Sequence, residues 1–312
     1  MVKRKLVIHQ EAITEFLKEN RMVVVDGGGR GALFQPFDRI PQNLRTVLRF
    51  EPDPDAEIIK SDNEIIFNKG LWNKEETVSL HLAKVPSTSS VYPPNKQLLD
   101  QFDDRIGFPP RATQNILKVE AINIDGAMQG ENLSSIDFIK LDVHGAEYEA
   151  IEGASGVLSN CCVGLMVESW LVEVHSGQRL IFDVEKEMAR YGYYKFGNTQ
   201  VISWPRKRTE KLRSRKQIVG EENVYLLLCN SAEDAEKLGM KRALKLSIVA
   251  DLFGYTDYAI QIIELCHKAG FLSKEDSLSI VNHIQRNNKM GFTDKVLTKA
   301  IHVLQNKRDN RL

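Results

Sequence analysis

The sequence is short of the features that mark several large classes of protein. It has no apolar run long enough to cross a bilayer, and Met1 to Ile8 carries positive charge with no apolar region after it. Neither a membrane span nor a secretory leader is expected. Cysteine is scarce, and Cys161, Cys162, Cys229 and Cys266 form no CxxC pair and no disulfide-like spacing. They read as reduced core residues of a soluble, cytoplasmic protein. Net charge is missing as well, since 42 Lys and Arg offset 42 Asp and Glu. No global field therefore argues for a nucleic-acid or membrane partner. The histidines at 9, 81, 144, 175, 267, 283 and 302 are scattered without ligand spacing, so no metal centre is expected. Asp142, His144 and Glu168 remain able to converge in space. The 312 residues suffice for one large domain or two.

What is present is organised around Val23-Val24-Val25-Asp26-Gly27-Gly28-Gly29-Arg30-Gly31-Ala32. A continuous β-branched run suits a strand buried on both faces, the habit of parallel sheets. Asp26 ends that strand, and the glycines let the backbone turn tightly and approach a ligand. This is the signature of a nucleotide-type cofactor site at the first strand of a doubly wound α/β sheet. The second strand, Thr46 to Phe50, delivers Glu51 before Pro52-Asp53-Pro54, an acid placed to accept hydrogen bonds from ribose hydroxyls.

Residues 10–20 space Ile13, Phe16 and Leu17 as an amphipathic helix, and 32–40 reads as a helical or irregular link. Further strands are expected at 64–68, 77–82 and 116–125, the last two flanking a long irregular stretch as a hairpin-like insertion. Residues 136–141 form a strand that delivers Asp142, with His144 two residues on and a helix starting near Ala146. Ligands sit at this edge of an open α/β sheet. A fifth strand, 164–168, ends in Glu168; a helix covers 180–191; residues 193–204 and 223–229 supply a final strand pair. The basic segment 206–216 between them reads as a solvated loop or a clamp for an anionic substrate. From Ser231 onward the apolar spacing is helical, through Leu244, Ile248, Ile263, Leu278, Ile284, Val296 and Leu304. The expected division is 1–230 as the catalytic domain and 231–312 as a helical extension suited to self-association or partner docking.

Four blocks occur here in order: Asp26-Gly27-Gly28-Gly29-Arg30-Gly31, Phe50-Glu51-Pro52-Asp53-Pro54, Ser89-Ser90-Val91-Tyr92-Pro93, and residues 138–147, FIKLDVHGAE. Together they resemble the FkbM family of S-adenosylmethionine-dependent methyltransferases, over roughly residues 22–230. The resemblance implies a class I methyltransferase (Rossmann-like) fold, with a seven-stranded, mostly parallel doubly wound sheet. It also implies S-adenosyl-L-methionine as cofactor and O-methylation of a hydroxyl on a sugar, glycan precursor or related natural product. The implied cofactor-binding residues are Asp26, Gly27, Gly28, Gly29, Gly31, Glu51 and Asp125, with Asp142 and His144 as catalytic candidates. The chain departs from the family pattern twice: Arg30 replaces the usual Asn with the last glycine one residue early, and His144 stands where a Glu is usual.

Two other readings compete. Gly27-Gly28-Gly29-Arg30-Gly31-Ala32 satisfies the G-x-G-x-x-A fingerprint of a nicotinamide dehydrogenase, with Glu51 near the distance of the ribose acid. That fingerprint accounts neither for Asp26 at the strand tip nor for the 138–147 block. The third reading is a degenerate methyltransferase-like module that binds partners through its helices. Segments 87–95 and 206–216, if both border the pocket, favour an anionic acceptor.

Overall fold

The computed structural model describes residues 11–208 and 215–288. Among the described residues, the β-branched and aromatic runs form ten strands: β1 (Met22–Gly27), β2 (Arg45–Phe50), β3 (Glu64–Phe67), β4 (Gly70–Leu71), β5 (Glu76–Ala83), β6 (Thr113–Ile122), β7 (Phe138–Leu141), β8 (Gly164–Trp170), β9 (Tyr193–Trp204) and β10 (Gln217–Leu227). Seven of them make one sheet in the order β3-β2-β1-β7-β8-β10-β9. The first five run parallel, and β10 is antiparallel to both β8 and β9. The expected α/β architecture with a mostly parallel seven-stranded sheet is therefore what the chain forms.

Valines 23–25 and residues 138–141 are buried throughout, as strands covered on both faces require. They pair directly, Val24 opposite Phe138 and Gly27 opposite Leu141, so Asp26 and Asp142 emerge beside each other at one sheet edge.

Helices α1 (Glu11–Glu19), α2 (Lys96–Leu99), α3 (Phe108–Arg111), α4 (Ile124–Gly130), α5 (Glu147–Glu152), α6 (Ser155–Asn160) and α7 (Ile181–Arg190) fill the connections. A second, three-stranded sheet, β4-β6-β5, carries the expected hairpin-like pair, β5 antiparallel to β6. Two expectations shift in detail. The link after β1 is irregular apart from two 3-10 turns, Phe37–Arg39 and Gln42–Leu44. The strand expected over 116–125 stops at Ile122, because the Asn123 side chain accepts from Gly126 N and starts α4.

The chain beyond Ser231 forms α8 (Ala232–Leu238), α9 (Met240–Leu252), α10 (Thr256–Lys268) and α11 (Lys274–Asn288). Ser231 and Asp234 make a reciprocal capping box that fixes the start of α8. These helices share the main apolar cluster: Leu246, Val249, Ala259 and Ile262 are fully buried in the cluster that also holds Val24, Phe138 and Leu165. The Phe253 ring lies 5.3 Å from Phe138 and 6.2 Å from Phe37. Arg242 donates to the carbonyls of Leu158 and Cys162 at the end of α6. Val296 and Leu304 lie outside the described residues.

One polar contact penetrates this interior. Lys245 Nζ is 2.6 Å from Asp137 Oδ2, which also accepts from Val23 N at 2.7 Å, and both side chains are buried. Removing one partner of a buried pair strands the other charge. Lys245→Met should lower stability by about 3 kcal/mol. Asp137→Asn added to it should restore part of the loss, read from urea unfolding midpoints.

Candidate active site

The glycine loop folds back on the end of β2, with Gly28 N and Gly29 N both donating to Phe50 O. Gly28 has φ +75°, and a Cβ there would stand 2.1 Å from Asp142 O. A side chain is excluded on both counts. Gly31, at φ +70°, faces open space. Gly27 abuts Leu71 and the Lys140 carbonyl instead.

Two cations buried in apolar strands hold this loop. Arg49 donates to Gly29 O (2.6 Å), Gly31 O (2.9 Å) and Ile59 O (3.1 Å), and pairs with Glu64 at 3.4 Å. Lys140 Nζ lies 3.3 Å from Gly27 O and 3.4 Å from Gly28 O. Asp26 sits between them, its Oδ2 3.5 Å from Arg49 Nε and its Oδ1 3.3 Å from Lys140 Nζ. Lys140 also reaches Asp142 Oδ2 at 3.4 Å. Burial raises the Asp26 carboxyl above the usual range despite both cations. For Lys140, burial is outweighed by Asp142 and Asp26, which hold its ammonium above its ordinary value. Asp142 is held low, burial being outweighed by Lys140 and then His144.

His144 has φ +51°, a left-handed position rare for a side chain of this size. Glu147 fixes that turn, accepting from Val143 N at 2.9 Å and Gly145 N at 2.8 Å. Burial and the neighbouring Glu168 push the Glu147 carboxyl up to about 8. The His144 ring stands between two carboxylates, Nδ1 3.3 Å from Glu168 Oε2 and Nε2 3.9 Å from Asp142 Oδ1. Burial disfavours its cation, but Glu168 and then Asp142 prevail and push it up to about 9.

A cleft of about 250 Å³ opens along this edge. Asp26, Gly28, Arg30, Glu51, Lys140, Asp142 and His144 all line it, with Phe50, Pro52 and Leu71 as apolar wall. Ser87, Ser89 and Val91 close one side, so part of the 87–95 loop borders the pocket. Glu51 accepts from Asp53 N at 3.0 Å and faces Arg30 Nε at 3.3 Å, and Arg30 also reaches Asp53. Burial raises the Glu51 carboxyl, against the pull of the Asp53 amide and Arg30.

The chain matches the model of the methyltransferase FkbM domain over residues 29–194. It belongs to the FkbM methyltransferase family. No curated protein and no solved structure matches it.

In this FkbM family member, the sequence-based site residues fall into three groups. Asp26, Gly28, Glu51, Asp142 and His144 share the cleft. Gly27, Gly29 and Gly31 shape the loop without lining it. Asp125, expected with the cofactor residues, is elsewhere: its carboxylate accepts from Gly156 N at 2.8 Å and Val157 N at 2.9 Å, capping α6. The shift of the strand end to Ile122 carried Asp125 into α4 and away from the cleft. Among its described residues the basic segment does not line the cleft either; Arg206 bonds Gln101 and stacks on Phe102, and Lys207 bonds Asp104. Positions 209–214 lie outside the described residues. Sequence reasoning missed Arg49, Lys140 and Glu147. The signal for the first two was a lone cation inside an apolar strand.

The loop geometry separates two glycines of similar φ. Gly31→Ala should cost about 1 kcal/mol, the left-handed penalty alone. Gly28→Ala should cost distinctly more, because its methyl meets the Asp142 backbone; thermal unfolding of the two variants checks the ranking.

Proposed function

We propose that this methyltransferase is a class I (Rossmann-like) enzyme that uses S-adenosyl-L-methionine to methylate a hydroxyl. The acceptor class is a sugar, glycan precursor or related natural product. The observation that carries the reading is the single cleft into which β1, β2 and β7 deliver Asp26, Glu51 and Asp142. Residues 1–230 form the catalytic unit in this proposal and 231–312 a helical extension, whose described part shares the apolar core. Four free cysteines and the lack, among the described residues, of any helix able to cross a membrane favour a cytoplasmic setting.

The residues present suit the cofactor. Gly28 leaves the floor of the cleft free of a side chain, and Asp26 Oδ1 is buried without a hydrogen bond, able to accept one from an ammonium. Glu51 presents a carboxylate for ribose hydroxyls, with Phe50, Pro52 and Leu71 beside it as apolar surface for a base. S-adenosylmethionine supplies an electrophilic methyl group on a sulfonium. The protein's share is mostly positioning. Asp142 and His144 face the other end of the cleft, where an acceptor hydroxyl must give up its proton. Asp142, held low, can take that proton; His144, pushed up to about 9 and so cationic near neutral pH, is set beside it by Glu168 and by the turn that Glu147 holds and stabilises the charge.

Calorimetric titration tests the reading. S-adenosylhomocysteine should bind with a micromolar Kd and NADH should not; the reverse result would favour the nicotinamide reading, and silence with both a degenerate module. Glu51 adds a pH signature. Its raised carboxyl takes up its proton at a higher pH than an ordinary glutamate, and the protonated form is the poorer acceptor. Affinity for S-adenosylhomocysteine should therefore weaken on acidification at a pH above that of an ordinary glutamate. Glu51→Gln should bind more weakly throughout, with a flatter profile.

On the acceptor side, screening hydroxylated sugars by methyl incorporation should give an active substrate. Asp142→Asn with His144→Ala should then lose about 10²-fold or more in turnover while cofactor binding persists. Unchanged turnover removes both from the catalytic role.

A further inference from the structure

The geometry points to a divalent transition-metal site made by Asp142, His144 and Glu168 at the acceptor end of the cleft. It rests on the proposed function only for what the ion would act upon. Each of the three side chains offers one ligand atom, and all of these atoms lie within 4.8 Å of one another. Metal bonds of about 2.0–2.2 Å place two donors roughly 4 Å apart across an ion, so little movement is needed to close the shell. Asp142 and His144 follow the end of β7 and Glu168 lies in the adjacent parallel β8, where Leu141 pairs with Val167 and sets the backbone spacing.

The trio is only partly satisfied. Glu168 Oε2 is inaccessible to water, and His144 Nδ1, 3.3 Å away, makes no well-formed hydrogen bond to it. The 3.9 Å from His144 Nε2 to Asp142 Oδ1 is too long for one. Lys140 takes the other oxygen of Asp142, Oδ2, which leaves Oδ1 turned toward His144. Beside them His175, 2 % exposed, has neither ring nitrogen hydrogen-bonded and lies within electrostatic reach of His144.

Two carboxylates and one imidazole suit Mn²⁺, Co²⁺, Fe²⁺ or Zn²⁺, and three protein ligands leave coordination positions open toward the cleft. An acceptor hydroxyl bound in such a position loses its proton more readily. The O–H bond breaks heterolytically, the electron pair stays on oxygen, and the proton leaves to water at the cleft mouth.

The test is titration of chelator-treated protein with Mn²⁺ alone, followed by calorimetry and by the loss of the free-ion paramagnetic resonance signal. One ion per chain is expected, bound at least tenfold more weakly by Glu168→Gln and by His144→Ala. S-adenosylhomocysteine binding by Glu168→Gln, equal to that of the unaltered protein, reports that the fold survives. Co²⁺ should give a d–d absorption band that both substitutions abolish. Absence of Mn²⁺ and Co²⁺ binding in folded protein, or binding that both substitutions leave unchanged, overturns the site. Metal binding without S-adenosylhomocysteine binding would uphold the site and overturn the cofactor reading instead.

Discussion

Everything at the functional edge depends on one buried acid held between two buried cations. Asp26 is 2 % exposed, with Arg49 on one side and Lys140 on the other. Neither cation is there for the carboxylate alone. Arg49 spends three hydrogen bonds on carbonyls of the glycine loop and the segment beyond it, and Lys140 approaches two more. Peptide carbonyls that would otherwise be buried without donors thus find them, as an interior requires. Buried charges of this kind contribute little net stability and a good deal of geometric definition. Here the defined object is the loop. Its turn after β1 has no helix to stiffen it, so the guanidinium and the ammonium take over that role.

From this centre the alternation of charge runs outward along the strand ends. Glu64, Arg49, Asp26, Lys140, Asp142, His144 and Glu168 follow one another from β3 to β8. The sign changes at each step, and exposure peaks at Asp142 and His144, which reach the cleft, before falling again at Glu168. Glu147 belongs to the same scheme through the backbone: it holds the amides of Val143 and Gly145 and so sets the unusual φ of His144.

Much of this could be read from residue order. The unbroken valines announced a strand buried on both faces. Asp26, Glu51 and Asp142 announced themselves by standing at strand ends before glycine or proline. Asp125 was misplaced because alternation continues past Ile122, while the real boundary is set by Asn123, a cap residue whose signal is a single hydrogen bond. Arg49 and Lys140 were hidden for the opposite reason. Periodicity registers them only as interruptions, and their partners are carbonyls, which leave no mark in a sequence. The bonding of Arg206 and Lys207 to the 101–104 segment was equally invisible, since Arg206 and Gln101 are 105 residues apart.

The Asp137–Lys245 contact also bears on when the molecule can close. Asp137 opens the way into β7 and binds the amide of Val23 beside β1, yet its counter-ion lies 108 residues further along the chain. At about 5–20 residues per second, a ribosome needs roughly 5–20 s to cover that distance. During that interval the middle of the nascent sheet carries a carboxylate with no cation to accompany it inside, and that edge must stay wet. Sealing of the interior is therefore a late event of synthesis, timed by α9 rather than by the strands it covers.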